Sequence, residues 1–294
     1  MLRDITKGTD PTVVAVIDVI ASAKADVLVV QGVDYDLQGL TLTALADGLK
    51  QHGLTYPHQF AAPPNAGRMT DLDLDGDGKT GGPRDAQGYG RFFGQGAMAV
   101  LSRYPIDQSN VQDFSALLWR DLPGALLPGT ADAPFPSAKA QNIQRLSSNG
   151  HWAVPITHPT MGTVQILAFH ATPPVFDGDE DRNGRRNHDE VLFWKHYLDG
   201  AFGAAPKSRF ILLGDANLDP AKGDGRSVAI QTVLADNRLQ DPLAGVPTVD
   251  WAQTGPMRTD YALPSADWTV IAAGVSPPRP EASRHQLVWV DLTR

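Results

Sequence analysis

The stretch "FILLGDANLDP", residues 210–220, is where the reading of this sequence begins. Phe210 to Leu213 form a short apolar run, the pattern of a strand buried on both faces. The chain then delivers Asp215 and Asn217, two positions apart, so both side chains share one face just past the strand end. Such a pair can orient water, bind a hard cation or hydrogen-bond a phosphate oxygen. It can equally be an Asx-turn that closes a strand, and the pattern alone does not separate these readings.

Other segments end in the same way. "VQILAFH" is an apolar run that stops on His170, "RTDYALP" places Asp260 at a strand start, and "SRHQLVWVDL" places His285 at the mouth of the last strand. A histidine at a strand end is often only a structural hydrogen-bonding residue. A buried carboxylate beside it, however, fixes its tautomer and raises its pKa. Further strands are predicted at "DVLVVQ", "GAMAVLSRYPI", "HWAVPIT" and "WTVIAAGV". "DPTVVAVIDVIASAKAD" is predicted helical, with Asp10 as cap and Pro11 at the first helical position. "LTLTALADGLKQHG" is a second helix closed by Gly53, and "HDEVLFWKHYLD" and "GRSVAIQTVLAD" are two more.

Strands outnumber helices from one end of the 294 residues to the other, and neither a repeat nor a linker interrupts them. This pattern predicts a single α/β domain over residues 1–294 with two packed sheets flanked by helices. Two polar loop excursions are predicted, at about residues 63–96 and 120–150. A content of 42% hydrophobic and 20% charged residues supplies an ordinary core. The absence of cysteine excludes disulfides, thiolate metal sites and cysteine nucleophiles. A formal net charge of -8 argues against a general grip on nucleic acid, which normally needs a basic face. No apolar run is long enough to span a membrane, no signal-peptide pattern opens the chain, and nothing points to an oligomer.

Taken in order, "ADVLVVQ", "LSRYPI", "FHAT", "LLGDAN", "TDYALP" and "SRHQLVWVDL" resemble the endonuclease/exonuclease/phosphatase superfamily, the deoxyribonuclease I-like phosphoesterases. The resemblance runs from about residue 25 to 292, and it is the sequential order of the motifs that is specific. It implies a four-layer α/β/β/α sandwich with the active site at one end of the two sheets. It also implies that His170 stands near the leaving group, Asp215 orients water, and Asn217 binds phosphate or metal. Asp260 would orient His285, which contacts the scissile phosphate.

Three positions depart from that pattern. Gly32 stands where the family has a metal-binding glutamate, with Asp34 and Asp36 nearby as substitutes. Arg284 stands where an aspartate precedes the last histidine, and a guanidinium there can contact phosphate directly. No strand precedes "DPTVV", where the family has one ending on a metal-binding asparagine. The expectation is that the start has been trimmed, because loss of an inner strand leaves backbone unpaired in a core.

Two polar loops carry a second possible chemistry. In "DEDRNGRRNHDE", Asp179, Asp181, Asn183, Gly184 and Glu190 fit a calcium-loop spacing. Arg185, Arg186 and Asn187 of the same segment would alternatively form a phosphate-binding wall before a helix N-terminus, and a plain capped helix start is the third reading. "DLDLDGDGKTGGPRD" places Asp73, Asp75 and Asp77 in the calcium frame, with Arg84 at the closing position and Asp85 one residue late. The overall expectation is a hydrolase acting on phosphodiesters or phosphomonoesters, with Mg or Mn at the active site and Ca at the acidic loops. Its substrate would be a small molecule or an exposed nucleic acid. The alternative is a non-catalytic calcium-binding or interaction protein on the same fold. Calcium dependence would suit a periplasmic or extracellular setting.

Overall fold

Apolar spacing and caps explain the first elements of the computed structural model, which describes residues 1–294. A short helix α1 (Leu2–Lys7) precedes α2 (Pro11–Ala23), where Asp10 accepts from the amides of Thr12 and Val13. Ile17 and Ile20 of α2 are buried against the first sheet. Next come β1 (Val27–Val33), α3 (Leu40–Gln51), β2 (His58–Phe60) and β3 (Ala97–Ser102). The chain continues through β4 (Gln112–Asp113), α4 (Ala138–Ile143), β5 (His151–His158), β6 (Gly162–His170) and α5 (Arg182–Leu198). It ends with β7 (Phe210–Asp215), α6 (Val228–Leu234), β8 (Val249–Trp251), β9 (Gly255–Met257), β10 (Asp260–Pro264), β11 (Thr269–Val275) and β12 (Val288–Thr293).

Two sheets pack face to face with helices outside, which is the mixed α/β sandwich expected. One sheet has the order β1-β3-β2 and the other β10-β7-β6-β5-β4. Strand alternation explains the layers. On β6, Val164, Ile166 and Ala168 face inward against Met98 and Val100 of β3, while Leu167 and Phe169 face outward to α5. There Phe193, Trp194 and Tyr197 are fully buried and anchor the outer helix layer. Truncating Trp194 to alanine would cost about 3–5 kcal/mol, the range for a buried aromatic.

The last two strands stand apart. β11 and β12 pair only with each other, and β1 pairs only with β3. The free edges of β1 and β12 border one cavity of 1480 Å³, lined by apolar residues such as Val27, Val29, Ile166, Leu213, Trp289 and Leu292. Although β12 reads Val-Trp-Val-Asp-Leu-Thr, none of its residues is buried. Thus no strand fills the inner position that the sequence pattern leaves open: α1 lies ahead of α2 instead.

Candidate active site

Sheet register builds the site. β6 and β7 run parallel with His170 opposite Asp215, and β10 runs antiparallel to β7 with Asp260 opposite the same Asp215. Three polar tips therefore stand in one row at neighbouring-strand spacing, about 4.8 Å. Asn217 follows in the left-handed region at φ 49°, a conformation that asparagine tolerates better than most residues. Its amide nitrogen donates to Asp215 Oδ2 at 3.1 Å and to the Ala171 carbonyl at 3.0 Å.

His285 reaches the row from the segment ahead of β12. Its Nδ1 lies 3.0 Å from Asp260 Oδ2 and 3.8 Å from Asp215 Oδ2. His170 Nε2 lies 3.6 Å from Asp215 Oδ2, too far for a direct hydrogen bond. Asp260 is fixed by the hydroxyls of Thr248 at 2.7 Å and Thr259 at 3.0 Å. Trp251 meets the His285 ring edge-on at 5.5 Å.

These neighbours set the protonation states. Burial alone would lower the pKa of His285, but the hydrogen bond to Asp260 and the charges of Asp260 and Asp215 raise it to about 9. Burial, then the charge of His285, lowers His170 to about 4, so its ring is neutral at pH 7. Burial and then the charge of Asp260 push Asp215 up, against the pull of His285. The row thus combines a cationic imidazole, a neutral imidazole and a carboxyl group with raised proton affinity.

Ligand atoms of Asp215, Asp260 and His285 lie within 4.8 Å of one another. A hard cation that keeps most of its waters needs only one or two carboxylates. Asp215 is the carboxylate left for that demand, because Asp260 is already engaged by two hydroxyls and an imidazole, and Asn217 turns its amide nitrogen toward Asp215. The substitutes expected near Gly32 do not join them. Asp36 accepts from the amides of Gln38, Leu40 and Thr41 and so caps α3, while Asp34 accepts from Gly96 N. Gly32 sits in a β-bulge at φ 78°.

The calcium and phosphate-wall readings of residues 179–190 are both corrected. Helix α5 begins at Arg182, so Glu190 lies more than two turns inside it rather than at the end of a loop. Glu190 is buried and accepts from Ser148 N and Thr172 N, Asp181 pairs with Arg226, and Asp179 is exposed. Asn183 donates to the Val175 carbonyl. Arg186 spends its guanidinium on the carbonyls of Gln87, Arg145, Leu146 and Ser147, and Arg185 donates to the Glu180 carbonyl. The amide of Asn183, near the helix start, already donates to Asp177. Asn187 lies inside the helix, bonded to main-chain carbonyls. Arg284 is exposed and lies over the Trp251 ring, 5.5 Å from its centre.

The other acidic loop differs from its sequence frame. Asp73, Asp75 and Asp85 converge within 4.8 Å, so Asp85 takes the place expected of Asp77, whose carboxylate accepts from Lys79 N. Burial, followed by the charges of Asp77 and Asp85, raises the Asp75 pKa. Asp73 and Asp85 also accept from main-chain amides of this loop. Sequence reasoning noted Asp85 but placed Asp77 in the ligand set, because Asp85 falls one residue beyond the motif's closing position. It missed Thr248 and Trp251, which carry no motif at all.

The chain belongs to the Endonuclease/Exonuclease/phosphatase family, whose model matches residues 6–285. That family comprises hydrolases of phosphate esters and generally employs divalent cations such as Mg. The fold is similar to an endonuclease/exonuclease/phosphatase from Beutenbergia cavernae, with TM-score 0.62, 19% identity, and coverage of 96% of this chain and 66% of that one. It is also similar to a family protein from Leptotrichia buccalis, with TM-score 0.55, 16% identity, and coverage of 97% and 93%. The human Nocturnin catalytic domain, solved with a bound sulfate anion, matches with TM-score 0.53, 14% identity, and coverage of 96% and 86%. The chain therefore spans just under two thirds of the Beutenbergia protein. Among curated proteins none matches the chain.

Proposed function

We propose that this protein hydrolyses a phosphate ester, a phosphodiester or phosphomonoester, at the row formed by His170, Asp215, Asn217, Asp260 and His285. The observation that carries the reading is the ion pair of His285 with Asp260, 3.0 Å long and beside a carboxyl group of raised pKa. His285 uses Nδ1 on Asp260 and so keeps Nε2 as a charged donor for a phosphoryl oxygen. Asp215 orients the attacking water and, in its ionised form, takes its proton; its pKa is pushed up to about 8, so that form dominates only above neutral pH. His170, neutral at pH 7, supplies an N–H toward the leaving oxygen rather than an acidic proton. A divalent cation, Mg or Mn, would be held at the Asp215 carboxylate and would offset charge on the phosphoryl oxygens. The net charge of -8 favours a small or exposed phosphoester over duplex nucleic acid.

The test is turnover of bis(p-nitrophenyl) phosphate and p-nitrophenyl phosphate with and without Mg²⁺, Mn²⁺ or Ca²⁺. Removing an acid–base or charge-stabilising group commonly costs about 10²–10³-fold, so His285→Ala is expected to fall by that much. Wild-type rates no higher than those of His285→Ala under every ion would leave a non-catalytic family member.

A further inference from the structure

Residues 186–190 of α5 form an unusual run: Arg186, Asn187, His188, Asp189 and Glu190 are polar and at most 9% exposed. Burying polar groups is unfavourable unless each finds a partner, and an apolar helix face would pack with no such demand. The partners are therefore informative. Glu190 accepts from Ser148 N and Thr172 N, and Arg186 holds the carbonyls of residues 145–147. Asn187, fully buried, donates to Thr172 O at 2.7 Å and to Ala216 O at 2.7 Å.

Those two carbonyls belong to different strand ends. Thr172 lies two residues beyond His170, and Ala216 directly follows Asp215. The other ties across this gap are the Ala171 N bond to Asp215 O and the Asn217 bond to Ala171 O, both made within the row itself. Asn187 comes from outside, on a helix packed into the main core. We propose that Asn187 is a positioning residue of this site, tying the main chain beyond His170 to that beyond Asp215 and so setting the spacing of the two side chains. The inference rests on the hydrolytic reading for its kinetic consequence, while its geometric consequence stands without it.

A structural role alone would lower stability and leave the site's geometry intact. Asn187→Leu keeps the volume roughly and removes both donors, and Asn187→Ser serves if the leucine variant does not fold. The control is Asn183→Ala, one turn earlier on α5, whose side chain bonds the Val175 carbonyl. Activity is measured on bis(p-nitrophenyl) phosphate with Mg²⁺, and the imidazole ¹H–¹⁵N resonances are recorded at pH 7 without substrate. The Asn187 variant is expected to lose at least tenfold in kcat with KM within twofold, and to shift the ring resonances of both His170 and His285. The control is expected to leave both readouts in place. Equal kcat and equal ring resonances in the Asn187 variant and the control would overturn the proposal. A wild type without hydrolysis under any cation would instead overturn the functional reading, and the ring resonances would then decide the positioning role alone.

Discussion

Replacing Asp260 by asparagine tests the electrostatics of the site most directly. The amide keeps an oxygen to accept from Thr248 and Thr259 but loses the charge that holds His285 protonated. In the wild type His285 rises from 6.5 to about 9, a difference of about 3 kcal/mol at 1.36 kcal/mol per unit. The sign follows from linkage: the raised pKa belongs to the folded state, so the stabilisation is complete below pH 6.5 and is lost as pH climbs through about 9. In Asp260→Asn only the charge of Asp215 still opposes burial, so the histidine falls from its wild-type value. Imidazole proton shifts followed from pH 5 to 10 are expected to show the wild-type midpoint near 9 and a lower midpoint in the variant. Urea unfolding at pH 6 and pH 10 is expected to show a wild-type loss exceeding that of the variant by at most about 3 kcal/mol. A wild-type midpoint at or below 6.5, or equal midpoints in the two proteins, would refute the argument that Asp260 controls the charge of His285.

Gly32→Glu places a carboxylate at the tip of β1, where a Cβ meets no atom within 4 Å but φ is 78°. The left-handed strain is about 1–2 kcal/mol, so Tm should fall by a few degrees while the Mg²⁺ concentration for half-maximal rate drops at least tenfold; an unchanged Mg²⁺ requirement removes Gly32 from the ligand sphere. Arg284→Ala should leave kcat/KM within twofold, because the guanidinium lies exposed on Trp251; a tenfold loss would restore it as a phosphate ligand. Hydrogen exchange should be fast along β1 and β12 and slow along β6 and β7, since the first pair have one free edge each; equal protection would mean that their edges are paired in solution.

The fold was legible where periodicity and order reinforce each other. β5, β6, β7 and β10 appear in the sequence as bounded apolar runs, and their polar ends fall in the right order for His170, Asp215 and Asp260 to meet. The helix α2 was legible because a cap, a first-turn proline and apolar spacing all agree. The short strands β2, β4, β8 and β9 were not legible, having two or three residues each and owing their pairing to neighbours distant in the chain. Spacing motifs misled at residues 179–190, because a calcium-loop pattern constrains intervals and says nothing of whether a helix absorbs them. Once α5 starts at Arg182, Asp181 and Glu190 separate along the helix axis and cannot close on one ion.

The same stretch shows why residue type alone does not identify a phosphate site. Arginine and asparagine ahead of a helix are suited to anions when their donors face a cleft. Here Arg186 and Asn187 face the main chain, and together they hold six carbonyl oxygens, those of Gln87, Arg145, Leu146, Ser147, Thr172 and Ala216. A donor already satisfied inside the core has none left for a ligand. The groups that retain free donors or acceptors at the cleft are those at strand tips, because a strand end exposes its last side chain while the ladder behind holds the backbone rigid. The rigid tip of β7 and the segment ahead of β12 are what bring a cationic imidazole and a proton-holding carboxyl group within 3.8 Å of each other.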